Sequence, residues 1–175
     1  MYPFIQLAIT LYRARRRPPI EVEESSELQL RAGFTDIDMF MELNHGRYFT
    51  CMELGRWDHA QRVGFVALMK KKKWGISVGG ASIRFRRRIP AFSKFTLSTQ
   101  LLCHDGRWFY FLQETRQQGK ICSSALVKAG AVSKTGLVTA IDVCREMGRE
   151  GWGEEMPGWV SSWIKAEGER PWPSE

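Results

Sequence analysis

The sequence has no CxxC pair and no cluster of cysteine with histidine. Its four cysteines, Cys51, Cys103, Cys122 and Cys144, lie far apart, so the ligand spacing of a structural zinc site is missing and no metal is expected. They are expected to be reduced core thiols of a cytoplasmic protein. The three histidines, His45, His59 and His104, form no HExxH pattern. The N-terminal apolar run, residues 2–12, falls well short of the roughly twenty residues a bilayer-spanning helix needs. A secretory signal carries its positive charge ahead of its apolar region, whereas here Arg13, Arg15, Arg16 and Arg17 follow it. Internal repeats, low-complexity stretches and recognised nucleic-acid-binding motifs are all missing, so a net charge of +7 alone does not make nucleic acid the expected partner.

What is present fits one α+β domain. A chain of 175 residues with 43% apolar content is long enough for one sizeable core and too short for two. Three segments are expected: an apolar and basic N-terminus with its linker over residues 1–26, a main domain over 27–145, and a Trp-rich tail over 146–175. That tail holds Trp152, Trp159, Trp163 and Trp172, four of the seven tryptophans, and should pack on something. Positive charge concentrates in residues 13–17, 70–73 and 84–88. The N-terminal segment has two readings: a short helix packed on its own domain or on a dimer mate, or an interfacial anchor. The anchor would place Tyr2, Phe4, Ile5 and Leu7 in lipid, with the arginines on anionic head groups, giving a peripheral contact at the inner membrane face through residues 1–17.

Pro18-Pro19 ends that helix. Leu28 and Leu30 alternate with polar residues in a first strand over 27–34. Residues 47–68 have helical spacing, with Tyr48, Cys51, Met52 and Gly55 on one face. Asn44 is a good N-cap for this helix, and Lys70 to Lys73 suit its C-terminal end. Gly55 and Gly64 lower helix propensity, which close approach of a strand would offset. After Trp74 the period becomes two, and about four antiparallel strands follow, with turns at His104-Asp105-Gly106 and Gln117-Gln118-Gly119-Lys120. A strand, a long helix and a meander bury the helix most simply in the concave face of a curled sheet. One helix covers only one face, so the other face or an edge strand is expected to need a partner, and a homodimer or a dimer of dimers follows.

The stretch Asp36-Ile37-Asp38-Met39-Phe40-Met41-Glu42-Leu43-Asn44-His45-Gly46-Arg47-Tyr48 carries a family resemblance. The chain resembles the hot-dog fold acyl-CoA thioesterases of the four-hydroxybenzoyl-CoA thioesterase-like group. There a common pattern is Asp-x-Asp followed by His-Val-Asn-Asn-x-x-Tyr; Asp36, Asp38, Asn44 and Tyr48 fall at matching offsets. The motif His is replaced by Glu42, and the Gly often found before it by Met41. Residues 86–102, with Trp108-Phe109-Tyr110, are similar to the subgroup named after thioesterase superfamily member six. The resemblance covers roughly residues 28–138. It implies a hot-dog fold, one helix wrapped by a curled antiparallel sheet of about five strands, and hydrolysis of an acyl-CoA thioester. It also implies Asp38 as the catalytic carboxylate and an active-site position at His45.

Helix-start amides at His45, Gly46 and Arg47 are suited to holding the charge that develops on a thioester carbonyl. Asp38 would attack the carbonyl or activate water, His45 would orient the water or assist the leaving thiolate, and Asn44 would cap the helix or position the water. A plain Asx-turn role for Asp38, a capping or packing role for His45 and a solvated-acid role for Glu42 stand beside these. Glu53 and Asp58 on the helix are alternative carboxylates. Alternation would put Arg84, Arg86 and Arg88 on one face as a coenzyme A phosphate site, against a charged, solvated strand edge. No cofactor is expected beyond the coenzyme A of the substrate. A non-catalytic acyl-CoA or lipid-binding protein of the same fold is the alternative function.

Overall fold

The computed structural model describes residues 4–171. In chain order the elements are α1 (Phe4–Ala14), β1 (Ser26–Arg31), a 3₁₀ turn (Phe34–Asp36), α2 (His45–Arg62), α3 (Phe65–Lys72), β2 (Gly75–Phe85), β3 (Lys94–His104), β4 (Phe109–Gln117), β5 (Lys120–Ser133), β6 (Gly136–Val138), α4 (Ala140–Glu146) and α5 (Gly158–Glu169). Strands β1-β3-β4-β5-β2 form one antiparallel sheet in that order, and β6 pairs with β5. The β4–β5 hairpin closes on Gln118 and Gly119 at φ 49° and 74°. Two successive positive φ angles match the right-handed twist of the strands they join.

Helix α2 lies against this sheet, and Gly55 lets the two come close. A Cβ there would stand 2.5 Å from Thr99 Oγ1 and 2.7 Å from Leu97 Cδ2. Gln113, fully buried on β4, donates from Nε2 to the Met52 carbonyl (2.8 Å) and to Thr99 Oγ1 (2.9 Å). Its Oε1 accepts from Arg56 Nη1 at 2.7 Å. A buried amide must find partners, and here those partners tie α2 to β3 and β4. On the side of this contact toward Tyr48, Met52, Leu97, Phe95 and Ala125 form an apolar core.

Three expectations are corrected. The helical run over 47–68 is two helices, because Gly64 at φ 84° ends α2 and starts α3 with nothing within 4 Å of its would-be Cβ. Gly64 therefore supplies a left-handed backbone, and only Gly55 supplies close approach. The face opposite α2, expected to be left to a partner, is covered at one end within the chain: Val160, Trp163 and Ile164 of α5 pack with Cys103, Tyr110 and Leu126. The strand expected at 27–34 ends at Arg31, as the chain turns into the 3₁₀ segment. Of the tail tryptophans, Trp152 packs beside Val143 and Cys144, Trp159 is half exposed, and Trp172 lies outside the described residues. All four cysteines are unpaired thiols.

The N-terminal helix packs on its own domain. Thr10 and Ala14 are buried, and Arg17 just beyond reaches both Asp58 carboxylate oxygens at 3.3 Å. Asp58 is buried on α2; burial raises its pKa, and the Arg17 charge opposes that rise. Its neighbour His59 is also buried, with Nε2 3.3 Å from the Glu24 carbonyl. Burial pushes the His59 pKa down to about 4.

Two outcomes follow from this packing. Gly55→Ala should lower stability by about 1–3 kcal/mol in denaturant unfolding, because overpacking against Thr99 outweighs the gain in helix propensity. For His59, the unfolded chain binds a proton between pH 6.5 and about 4 that the native state does not. Stability should therefore fall as pH falls through that window, by up to about 3 kcal/mol, and His59→Gln should flatten the slope measured by chemical denaturation across pH.

Candidate active site

The segment from the 3₁₀ turn to α2 is held by one ion pair. Asp36, 5% exposed, accepts from Arg47 Nε at 2.8 Å and Nη2 at 2.7 Å, while its second oxygen accepts from the Gly33 amide at 3.1 Å. The Asp36 carbonyl accepts from the Asn44 amide at 2.8 Å. Two guanidinium N–H groups converge on one charged carboxylate oxygen, a charge-assisted contact stronger than a neutral hydrogen bond, so the start of α2 is locked to the turn before it. Asn44 is the N-cap, its Oδ1 accepting from the Gly46 amide at 2.9 Å.

Between these anchors the chain makes a tight turn. The Asp38 amide donates to the Glu42 carbonyl (3.0 Å), the Met41 amide to the Asp38 carbonyl (3.1 Å), and the Phe40 amide to Asp38 Oδ1 (2.9 Å). Met41 holds φ 57°. That left-handed backbone costs a side-chain-bearing residue energy that glycine avoids, and this is the position where the resembling pattern often has glycine. Met39, Phe40 and Met41 are all exposed, Met39 at 87%.

The candidate site residues divide between two surroundings. A cleft of about 210 Å³ at the start of α2 is lined by Glu42, Leu43, His45, Tyr48, Phe85 and the three arginines at 86–88. His45 and Tyr48 meet the Phe85 ring edge to face, at centroid distances of 4.8 and 5.0 Å. Asp38 does not line this cleft; one oxygen of its carboxylate holds the Phe40 amide. Arg84 does not line it either. The strand ends at Phe85, where the Arg86 and Arg87 amides both donate to the Cys122 carbonyl (2.7 and 3.1 Å). That doubling breaks the alternation expected to put Arg84, Arg86 and Arg88 on one face. Arg84 is thus separated from Arg86 and Arg88, and Arg87 joins them. Arg87 Nη1 donates to the Ile121 carbonyl at 3.0 Å, which holds its side chain down.

The three helix-start amides also separate. Gly46 N–H is engaged by Asn44 Oδ1, and Arg47 N–H by the Asn44 carbonyl at 2.9 Å. Among the described residues only the His45 amide of the three lacks a protein acceptor. It lies at the positive end of an 18-residue helix, where a developing anion is favoured. Burial holds the Tyr48 phenol well above its usual range, with the charges at Cys122 and Glu42 adding to it. It is therefore a neutral hydroxyl at the cleft wall. Cys51, on the next turn of the helix, is pushed up to about 12 by burial and by Asp36, which makes it a poor nucleophile.

The helix carboxylates lie elsewhere. Asp58 is thirteen residues beyond His45, roughly 20 Å along the helix axis, and is engaged by Arg17. Glu53 does not line the cleft. Among the described residues, no three His, Cys, Asp or Glu side chains gather in a way that would hold a metal ion. A second, apolar cavity of about 70 Å³ lies at the other end of α2, lined by Ala60, Val63, Phe109 and Phe111 among others. Sequence reasoning missed Tyr48, Phe85 and Arg87 as cleft residues. The offset of Tyr48 in the resembling motif was a usable signal, whereas the placement of Phe85 and Arg87 depends on the irregular end of β2.

The sequence profile of the thioesterase-like superfamily matches residues 32–164. Protein THEM6 of Drosophila melanogaster is 23% identical over 167 residues, which is 93% of this chain and 84% of that protein. The chain spans about half the length of further relatives of that name, 54% in Xenopus laevis and 48% in Danio rerio. Among solved structures, the probable thioesterase YbaW from Escherichia coli superposes with a TM-score of 0.64 at 20% identity, over 70% of this chain and 96% of that one. A hypothetical protein from Staphylococcus aureus in complex with CoA gives 0.59 at 8% identity, over 80% and 92%. At these identities the likeness is one of fold: an α+β hot-dog arrangement, with α2 against a curled antiparallel sheet. With the match running from the residue after β1 into α5, over most of the chain, the chain belongs to the thioesterase-like superfamily.

Proposed function

We propose that the protein hydrolyses an acyl-CoA thioester at the N-terminus of α2. The observation that carries this reading is one cleft lined by His45, the carboxylate of Glu42 and the cations Arg86 and Arg88. The thioester carbonyl oxygen accepts from the His45 amide, so the charge that develops on it meets the positive end of the helix. A carboxylate takes a proton from water as the hydroxyl adds to the acyl carbon; the C–S bond then breaks and the thiol leaves protonated, with the His45 imidazole placed to deliver the proton. Arg86 and Arg88 bind the phosphates of the coenzyme. A fold relative solved in complex with CoA supports that ligand class.

Two carboxylates compete for the base. Asp38 holds the motif position, and Glu42 lines the cleft. A second copy of the chain is proposed to complete the site, because the exposed apolar tip at 39–41 adjoins Glu42 and the outer edge of β2 carries exposed Val78 and Phe85. Cytoplasmic placement remains the proposal for this soluble substrate. Non-catalytic binding of acyl-CoA is the second reading, favoured by the bond between Asp38 and the Phe40 amide.

Thiol release from a panel of acyl-CoA thioesters should be measured for wild type, Asp38→Asn and Glu42→Gln. The variant lacking the base should lose roughly 10²- to 10⁴-fold in kcat. Tight binding without thiol release by the wild type would select the second reading. For Arg86→Met with Arg88→Met, KM for acyl-CoA should rise about tenfold or more while KM for an acyl-pantetheine thioester, which lacks the nucleotide phosphates, stays unchanged.

A further inference from the structure

We propose that the cleft between α1 and α3 is a headgroup site for anionic phospholipid, and that the outer face of α1 enters the membrane interface beside it. This inference does not depend on the thioesterase reading. The cleft, about 630 Å³, is lined by Tyr12 of α1 and Arg15 just after it, Trp57 of α2, Lys70 of α3, and Lys73 and Trp74 just beyond it. Its floor is apolar, with Leu11, Val66 and Met69. Three cations therefore rim an aromatic and aliphatic hollow. None of the ion pairs among the described residues engages Arg15, Lys70 or Lys73. Lys72, in the same run, is instead paired with Glu146 at 2.6 Å.

The adjoining face of α1 names the occupant. The helix buries Thr10 and Ala14, with Leu7 half-buried at the same spacing, so Leu7 belongs to the domain-facing side and not to the lipid side expected for it. Tyr2 lies outside the described residues. Ile5, Ile9 and Tyr12, spaced four and three apart, form the opposite crest and are 78%, 44% and 55% exposed. Arg16 continues that crest, its guanidinium 4.2 Å from the centre of the Tyr12 ring. An apolar crest that ends in cations, beside a cationic hollow walled by two half-buried tryptophans, matches a phospholipid surface: acyl chains meet isoleucine, the interfacial layer meets Tyr and Trp, and phosphates meet Arg and Lys. A protein partner covering the crest would leave the three rim cations without a counter-charge. No helix among the described residues is long and apolar enough to cross a membrane, so the contact is peripheral.

The test is flotation of the full chain with vesicles of phosphatidylcholine alone and of phosphatidylcholine with phosphatidylglycerol. Binding is expected to the anionic vesicles only, and to weaken as salt rises. Lys70→Gln with Lys73→Gln should reduce the partition coefficient about thirtyfold, from about 1 kcal/mol per cation near a charged surface. Ile9→Asp should abolish binding with the thermal midpoint unchanged. Three results would overturn the proposal: equal binding to neutral vesicles, anionic binding that the lysine pair does not affect, or a solution dimer that Ile9→Asp dissociates.

Discussion

The hydrogen bonds of Gln113 hold α2 on the sheet, and the rest of the structure depends on where α2 lies. The amide side chain is buried between β3, β4 and the helix, and each of its groups is engaged: Nε2 by Met52 and Thr99, Oε1 by Arg56. Apolar packing alone would let a helix slide or roll over a curled sheet, because hydrophobic contact has no direction. A buried amide with three fixed partners does have one, since a shift of the helix would strand polar groups away from water. Gly55 makes the contact close enough for these bonds to form.

Fixing α2 fixes its N-terminus, and with it the cleft. The Asp36–Arg47 pair and the Asn44 cap act on the same end of the helix from outside and from within. The effect of the cap on the backbone is selective. Asn44 engages the Gly46 and Arg47 amides and leaves His45 N–H at the cleft, so the capping that stabilises the helix also chooses the donor available to a ligand. The local turn chemistry decides which atoms the helix start presents.

Charge is arranged by place. Arg86 and Arg88 stand at the cleft, Arg17 neutralises a buried aspartate, and Arg15, Lys70 and Lys73 rim a separate hollow on the α1 side. The named cations thus serve a site, a structural pair and a surface. Burial divides the other ionisable groups in the same way: it holds His59 neutral and keeps the Cys51 thiol protonated, which removes both from acid–base chemistry at neutral pH.

By itself the sequence determined whatever short-range chemistry controls. The change of period after Trp74 marked the meander, Gln118-Gly119 marked a hairpin turn, and Asn44 marked the start of α2. Each reflects a residue acting on its own backbone or on near neighbours. Only the tertiary structure decided the rest. Gly55 and Gly64 look alike in sequence, yet one is pressed against Thr99 and the other ends a helix, because their roles depend on what lies opposite. Packing of α5 on one end of the outer sheet face was hidden because Val160 and Trp163 show no partner until Tyr110 and Cys103 are placed beside them. Likewise Arg84 parts from Arg86 because two successive amides share the Cys122 carbonyl, and Glu42, which lines the cleft where Asp38 does not, sits where residues 41–43 pair with residues 89–91. Those outcomes depend on contacts between residues distant along the chain, which spacing within one stretch does not encode.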